Sequence, residues 1–133
     1  MNMIIRSAVV AICTAIAPTF AAAQDGDVAA GKSVFKRCAA CHLYNKEKKK
    51  SGPHLVGIVG RAAGSIKGHK YSKGMKKAAE GGLVWTEENL DKYLTAPRKF
   101  IKGGNMAFAG LKKEADRKNV IAFLKEEAKK KEE

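Results

Sequence analysis

Apolar residues recur along this chain at helical spacing in a few separated stretches, with glycine-punctuated intervals between them and no strand-period alternation worth assigning. The first stretch opens at Asp27, a good N-cap, and runs toward Cys38 with Val28, Gly31, Phe35 and Cys38 on one face. A mid-helix glycine costs about 1 kcal/mol relative to alanine. Gly31 on the apolar face therefore predicts a close crossing with another helix. Residues 43 to 82 are interrupted by Gly52-Pro53, Gly57, Gly60, Gly64, Gly68, Gly74 and Gly81-Gly82, and are expected to be loop with one short helix over 72–79. Thr86 starts the next helix, with Glu87 and Glu88 in its first turn, Leu90, Tyr93 and Leu94 on one face, and Pro97 closing it. Residues 98 to 110 read as irregular because of Gly103, Gly104 and Gly110. The last helix then starts near Glu114, buries Val120, Ile121, Phe123 and Leu124, and sets Glu126 with Lys130 and Glu127 with Lys131 at i,i+4 spacing. It is the natural partner for Gly31. Loops this long inside a compact unit need an organiser other than regular structure, and an enclosed cofactor would supply one.

Residues 1–23 stand apart from that pattern. Arg6 and the amino terminus are positive, Ser7 to Ala17 is mostly apolar, and Ala21-Ala22-Ala23 offers small residues for cleavage before Gln24, which together read as a secretory signal peptide. The apolar run is short for a membrane span, and no later segment approaches about 18 apolar residues. Cys13 follows Ile12, where a lipid-attachment signal wants a small residue, so lipidation is not expected. The remainder, 24–133, reads as a single soluble domain, since no repeat or proline-rich linker divides it.

Charge narrows the partners. The 133-residue chain carries a formal +13, of which losing Arg6 with the leader leaves +12. A surface this basic favours acidic partners. Nucleic acid is a poor candidate, because the lysines are spread through the sequence and an exported protein meets little of it.

Cys38-Ala39-Ala40-Cys41-His42 carries the chemistry. Two thiols three positions apart followed at once by an imidazole read as the attachment site of a c-type haem, each thiol capturing a vinyl group and the histidine lying under the iron. A pair of cysteines alone would also suit thiol–disulfide exchange or half a zinc site. A zinc site needs two further ligands, however, and His54 and His69 have no cysteine near them. Without Cys13 both remaining cysteines belong to the motif, so no structural disulfide remains and the fold is expected to depend on the haem. On the other face of the iron, Met106 in its glycine loop, Met75 on the expected short helix, and a bis-histidine arrangement through His54 or His69 all remain open from spacing alone.

Taken in order, Gly31 and Phe35, Cys38 to His42, Gly52-Pro53-His54-Leu55, Gly60-Arg61, Tyr71-Ser72, Val84-Trp85-Thr86-Glu87-Glu88, Tyr93-Leu94, Pro97, Gly103 to Gly110 and Ile121-Ala122-Phe123-Leu124 resemble the class I cytochrome c family, specifically soluble bacterial members of the c2 type and their mitochondrial relatives. The resemblance spans nearly all of residues 27 to 127. It implies an all-α fold of three main helices plus a short one, with long loops wrapped around one covalently bound haem c. It also implies Cys38 and Cys41 as attachment points and His42 and Met106 as axial ligands, with the Pro53 carbonyl accepting the His42 ring proton. Arg61, Tyr71 and Trp85 would bind a haem propionate, Tyr93 would lie near the Met106 sulfur, and Phe108 would cover the haem surface. The implied function is one-electron carriage in the periplasm, without enzymatic activity, by a monomer. Its partners would be a quinol–cytochrome c reductase and a terminal oxidase or photosynthetic reaction centre. Lys36, Lys50, Lys99, Lys102, Lys112 and Lys113 are candidates for steering them.

A peroxidase-like enzyme would need an open iron face, a thiol–disulfide oxidoreductase a free dithiol, and a basic binding module would work without haem. None of these accounts for Met106, Arg61 and Trp85 together. The chain departs from the family pattern at His54, where asparagine is usual, at Lys102, where proline is frequent, and at Gly104, where threonine commonly helps hold a propionate. The stretch from Lys73 to Gly82 is also longer than in the mitochondrial proteins. With no proline to stiffen the Met106 loop, Lys102 or a neighbouring lysine is expected to displace Met106 at alkaline pH. The methionine-to-iron charge-transfer band should then be lost by about pH 11, and its persistence at that pH rules the exchange out.

Overall fold

A computed structural model describes residues 26–131, so the expected leader and Cys13 lie outside the described residues. The described residues form five helices: α1 (Val28–Phe35), α2 (Lys73–Glu80), α3 (Glu87–Thr95), α4 (Pro97–Phe100) and α5 (Glu114–Lys129). Among the described residues the sole β pairing is an isolated antiparallel bridge between Ala62 and Val84. Three main helices with long loops match the all-α expectation.

Local chemistry sets each helix start. The Asp27 carboxylate accepts from the Ala30 amide at 2.9 Å, the Ser72 hydroxyl from Met75 at 3.1 Å and the Thr86 hydroxyl from Asn89 at 3.1 Å, so α1, α2 and α3 each begin on a side-chain cap. Glu114 and Asp116 occupy the first turn of α5, where the helix dipole favours negative charge. The first helix stops regular winding at Phe35, short of Cys38, and continues in tighter turns: Cys38 donates to Phe35 O, and both Cys41 and His42 donate to Cys38 O. The expectation that Pro97 only ends a helix needs correction. Ala96 leaves the helical region (φ −156°, ψ 81°), which a following proline disfavours, and Pro97 then opens the one-turn α4 inside the stretch expected to be irregular.

The core lies where α1 crosses α5. A Cβ on Gly31 would stand 1.9 Å from the Asn119 carbonyl oxygen and 2.7 Å from the Phe123 Cβ, so only glycine permits this approach. Asn119 reciprocates by accepting from the Asp27 amide through Oδ1 at 2.8 Å. Phe35, Tyr44 and Phe123 pack as a triangle of rings 4.8 to 5.8 Å apart. Val120, Ile121, Phe123 and Leu124 are all buried, as their spacing predicts.

The C-terminal ion pairs differ from the expected i,i+4 set. Lys129 pairs with Glu126 and Lys130 with Glu127 at i,i+3, while Lys131, beyond the helix end, reaches Glu47. These are exposed pairs of small energetic weight. Gly31→Ala should therefore destabilise the haem-loaded protein by about 1–3 kcal/mol in a denaturant titration, because the methyl must displace backbone.

Candidate haem-binding site

Two clusters built from distant parts of the chain carry the sequence-identified site residues. The first surrounds His42. Its Nδ1 lies 2.7 Å from the Pro53 carbonyl oxygen, which places the ring proton on Nδ1 and leaves the Nε2 lone pair available. Burial holds the imidazole below the usual histidine range, opposed by that hydrogen bond, so the neutral form needed by a ligand is favoured. Gly52 makes the approach possible: a Cβ there would sit 2.4 Å from the His42 Cε1. Cys38 is half-buried and packs on the core, whereas Cys41 is exposed. Burial pushes the Cys38 thiol up, only partly offset by Arg37, which is opposite to what a reactive dithiol requires.

The second cluster surrounds Met106. Its sulfur accepts from the Tyr93 hydroxyl at 3.7 Å. Tyr93 stacks 4.9 Å from Trp85 and 6.1 Å from Phe100, and burial pushes its phenol from an ordinary 10.0 up to about 12. Phe108 packs against the same core as Cys38, with the Arg37 guanidinium 5.7 Å from its ring centre. Met75 also packs on the core, from α2.

Arg61, Tyr71 and Trp85 are placed by backbone. The Arg61 carbonyl accepts from the Trp85 amide at 2.9 Å and Trp85 returns its carbonyl to Gly60, so the 60s loop and the entry to α3 are stitched together. The Arg61 guanidinium donates to the carbonyls of Val56 and His54, both at 2.9 Å, and its charge faces Tyr71. The Tyr71 hydroxyl accepts from the Ile66 amide at 3.2 Å, and its ring meets His69 edge-on at 4.6 Å. His54 is 9% exposed, and its Nδ1 is the single buried side-chain nitrogen or oxygen without a hydrogen-bond partner among the described residues.

Arg117 was not singled out by sequence reasoning. It is buried on α5, donating through Nε to Asp91 at 2.7 Å and through Nη1 to the Leu111 and Lys112 carbonyls at 2.9 and 3.1 Å. Its signal was positional: Arg117 precedes Val120, Ile121 and Leu124 at i,i+3, i,i+4 and i,i+7, on the apolar face. It pins the chain after the Met106 loop to α3 and α5. All six candidate docking lysines, Lys36, Lys50, Lys99, Lys102, Lys112 and Lys113, are exposed. Lys50 bonds the Ala39 carbonyl at 2.7 Å, and Lys112 reaches those of Thr95 and Ala109 at 3.3 Å.

A helical shell around a thiol-thiol-imidazole turn, with a thioether on a distant loop held by a tyrosine hydroxyl, defines the class of small covalent-haem electron carriers. The donor set suits the group: two thiols precede an imidazole whose Nδ1 is already committed to the Pro53 carbonyl, and a soft thioether is oriented by a hydroxyl. Comparison with known proteins agrees. The sequence model for cytochrome c matches residues 28–127. Cytochrome c2 of Agrobacterium tumefaciens (strain II Chrys) is 50% identical over 101 residues, covering 75% of this chain and 91% of that protein. Cytochrome c2 of Afifella marina is 48% identical over 104 residues, covering 77% and 84%. In structure, cytochrome cH from Methylobacterium extorquens superposes with a TM-score of 0.70 at 38% identity, covering 76% of this chain and 99% of that one. The chain belongs to the class I cytochrome c family, in its c2-type branch, and its cofactor is one covalently attached haem c. It is an electron carrier of that family.

The Tyr93 shift has a pH consequence. The unfolded phenol ionises near 10.0 and the folded one at about 12, so between those values the folded state holds more protons and stability falls as pH rises. The loss approaches about 2–3 kcal/mol across that window and is absent below it. Tyr93→Phe should flatten the fall when melting temperature is followed from about pH 9 to 12; an unchanged slope would remove Tyr93 as its source.

Proposed function

We propose that the chain carries single electrons in the periplasm with its haem iron ligated by His42 Nε2 and Met106 Sδ. The observation that supports this reading most directly is the Met106 sulfur accepting from the hydroxyl of Tyr93, whose side chain packs against the same core as Cys38 and Phe108. When bound, the haem supplies one iron that alternates between ferrous and ferric states. The residues do the rest. Cys38 and Cys41 tether the group, Pro53 fixes the His42 ring and raises its basicity, and Tyr93 aims the Met106 thioether. Arg61, Tyr71 and Trp85 are assigned to a propionate; the Arg61 charge is held there by carbonyls rather than by a competing carboxylate, which leaves it able to compensate an anion. With His42 and Met106 both holding the iron, substrate would be denied the metal, and an apolar surround would raise the reduction potential.

The leader expected over residues 1–23 supports export to the periplasm. Among the described residues no helix is long and apolar enough to cross a membrane. The net positive charge and the exposure of all six named lysines support electrostatic steering toward acidic faces of a quinol–cytochrome c reductase and a terminal oxidase or photosynthetic reaction centre.

The ferrous protein should bind carbon monoxide negligibly on mixing, whereas Met106→Ala should bind it promptly; prompt binding by the parent overturns the ligation. Oxidation rates with isolated membranes should fall steeply as ionic strength rises from about 10 to 150 mM, where the screening length shrinks from about 30 to 8 Å. A flat dependence would remove steering by the lysines.

A further inference from the structure

We propose that α2 is a strap that holds down the loop carrying Met106, with Gly74 as the positioning residue at the contact; this rests on the reading of Met106 as an axial ligand. A Cβ on Gly74 would lie 2.1 Å from the Lys102 carbonyl oxygen and 2.6 Å from the Gly103 carbonyl carbon. The Gly74 amide also donates to the Gly103 carbonyl at 3.3 Å, an orientation that the positive φ of Gly103 (78°) makes available. Helix and loop therefore meet backbone to backbone, three to four residues before the methionine.

That contact matters because the loop has few other ties. Among the described residues, hydrogen bonds from the segment 101–106 that reach beyond its own neighbourhood in sequence are two: Gly74 N to Gly103 O, and the Tyr93 hydroxyl to the Met106 sulfur. One orients the sulfur; the other fixes the backbone that delivers it. The departures from the family pattern at Lys102 and Gly104 remove local stiffness from the same backbone, which places more weight on an external support.

The strap is built to press inward. Met75 and Ala79 pack against the core, while Lys73, Lys76 and Lys77 are exposed on the opposite side. A Cβ on Gly64 would lie 2.9 Å from the Ala79 Cβ, so the helix is also seated closely at its far end. The Ser72 hydroxyl caps its first turn by accepting from Met75, one residue after the Gly74 contact. Adding a methyl at Gly74 requires helix or loop to give by roughly 1 Å, since packed interiors leave no slack at such a contact. The population with the thioether off the iron then rises, and any external ligand that competes for the position gains apparent affinity in proportion.

The test is a titration of the ferric, haem-loaded full-length protein with imidazole, followed by loss of the thioether-to-iron charge-transfer band. Gly74→Ala should bind imidazole about tenfold more tightly than the parent, and Ser72→Ala, which loosens the first turn without adding bulk, about threefold more tightly. Gly81→Ala, at the other end of α2, should match the parent, because a Cβ there meets its nearest atom at an ordinary 3.4 Å. Imidazole affinities of Gly74→Ala and Ser72→Ala within about twofold of the parent would overturn the strap while leaving Met106 ligation intact. Should Gly74→Ala fail to retain haem, Ser72→Ala decides alone. A parent protein that lacks the band removes the ligation reading and the strap together.

Discussion

Everything in this fold hangs on the crossing of α1 over α5, where Gly31 lets two helix backbones touch. That approach is what turns α1 so that the turns following it bring Cys38 against the core and His42 beside Pro53, with Cys41 exposed between them. The Phe35–Tyr44–Phe123 rings close around the crossing, and the Asn119 side chain ties α5 back to the start of α1. The cofactor turn is thus an extension of a helix whose position is set by van der Waals contact from a helix more than eighty residues away. Moving the crossing by a methyl group moves the site, which is why packing at Gly31 is a functional constraint as well as a stability constraint.

The remaining loops are organised by carbonyl groups more than by side-chain pairs. Pro53 O orients His42, while Val56 O and His54 O hold the Arg61 guanidinium; Leu111 O and Lys112 O hold Arg117. Such a scaffold suits a protein whose loops surround an apolar group, because backbone acceptors need no extra side-chain charge in the interior. The half-buried Arg61 and the buried Arg117 are both arginines, whose several fixed donors satisfy more than one carbonyl at once.

What could be read from the sequence follows the range of the forces involved. The caps at Asp27, Ser72 and Thr86 and the apolar face of α5 are local patterns, and they appear where their spacing puts them. The contact of Tyr93 with Met106 and of His42 with Pro53 could be anticipated only through family resemblance, because periodicity within one element says nothing about a partner that lies outside it. Arg117 was visible as an arginine among apolar residues, yet two of its three acceptors lie on a turn at Leu111 and Lys112 that no local pattern marks, and the third, Asp91, lies on α3. The one-turn α4 was hidden for the opposite reason: Pro97 is read both as a helix stop and as a favoured first helical residue, and here it is both, ending α3 and opening the next turn.

The two flanks of the site are supported unequally, and the inequality has a direction. His42 follows directly on a helical turn, is bonded to a carbonyl eleven residues away, and is sandwiched against Gly52, so its position is over-determined by short-range ties. Met106 stands at the end of a glycine-containing loop and is reached by one hydroxyl. If both atoms bind the iron, thermal opening begins on the methionine side, since the side with fewer ties opens at lower free energy. The ring cluster of Trp85, Tyr93 and Phe100 then does more than fill space: by fixing the Tyr93 hydroxyl it stiffens the one side chain that, among the described residues, hydrogen-bonds the sulfur, so aromatic packing remote from the tether sets how firmly the Met106 side chain is held.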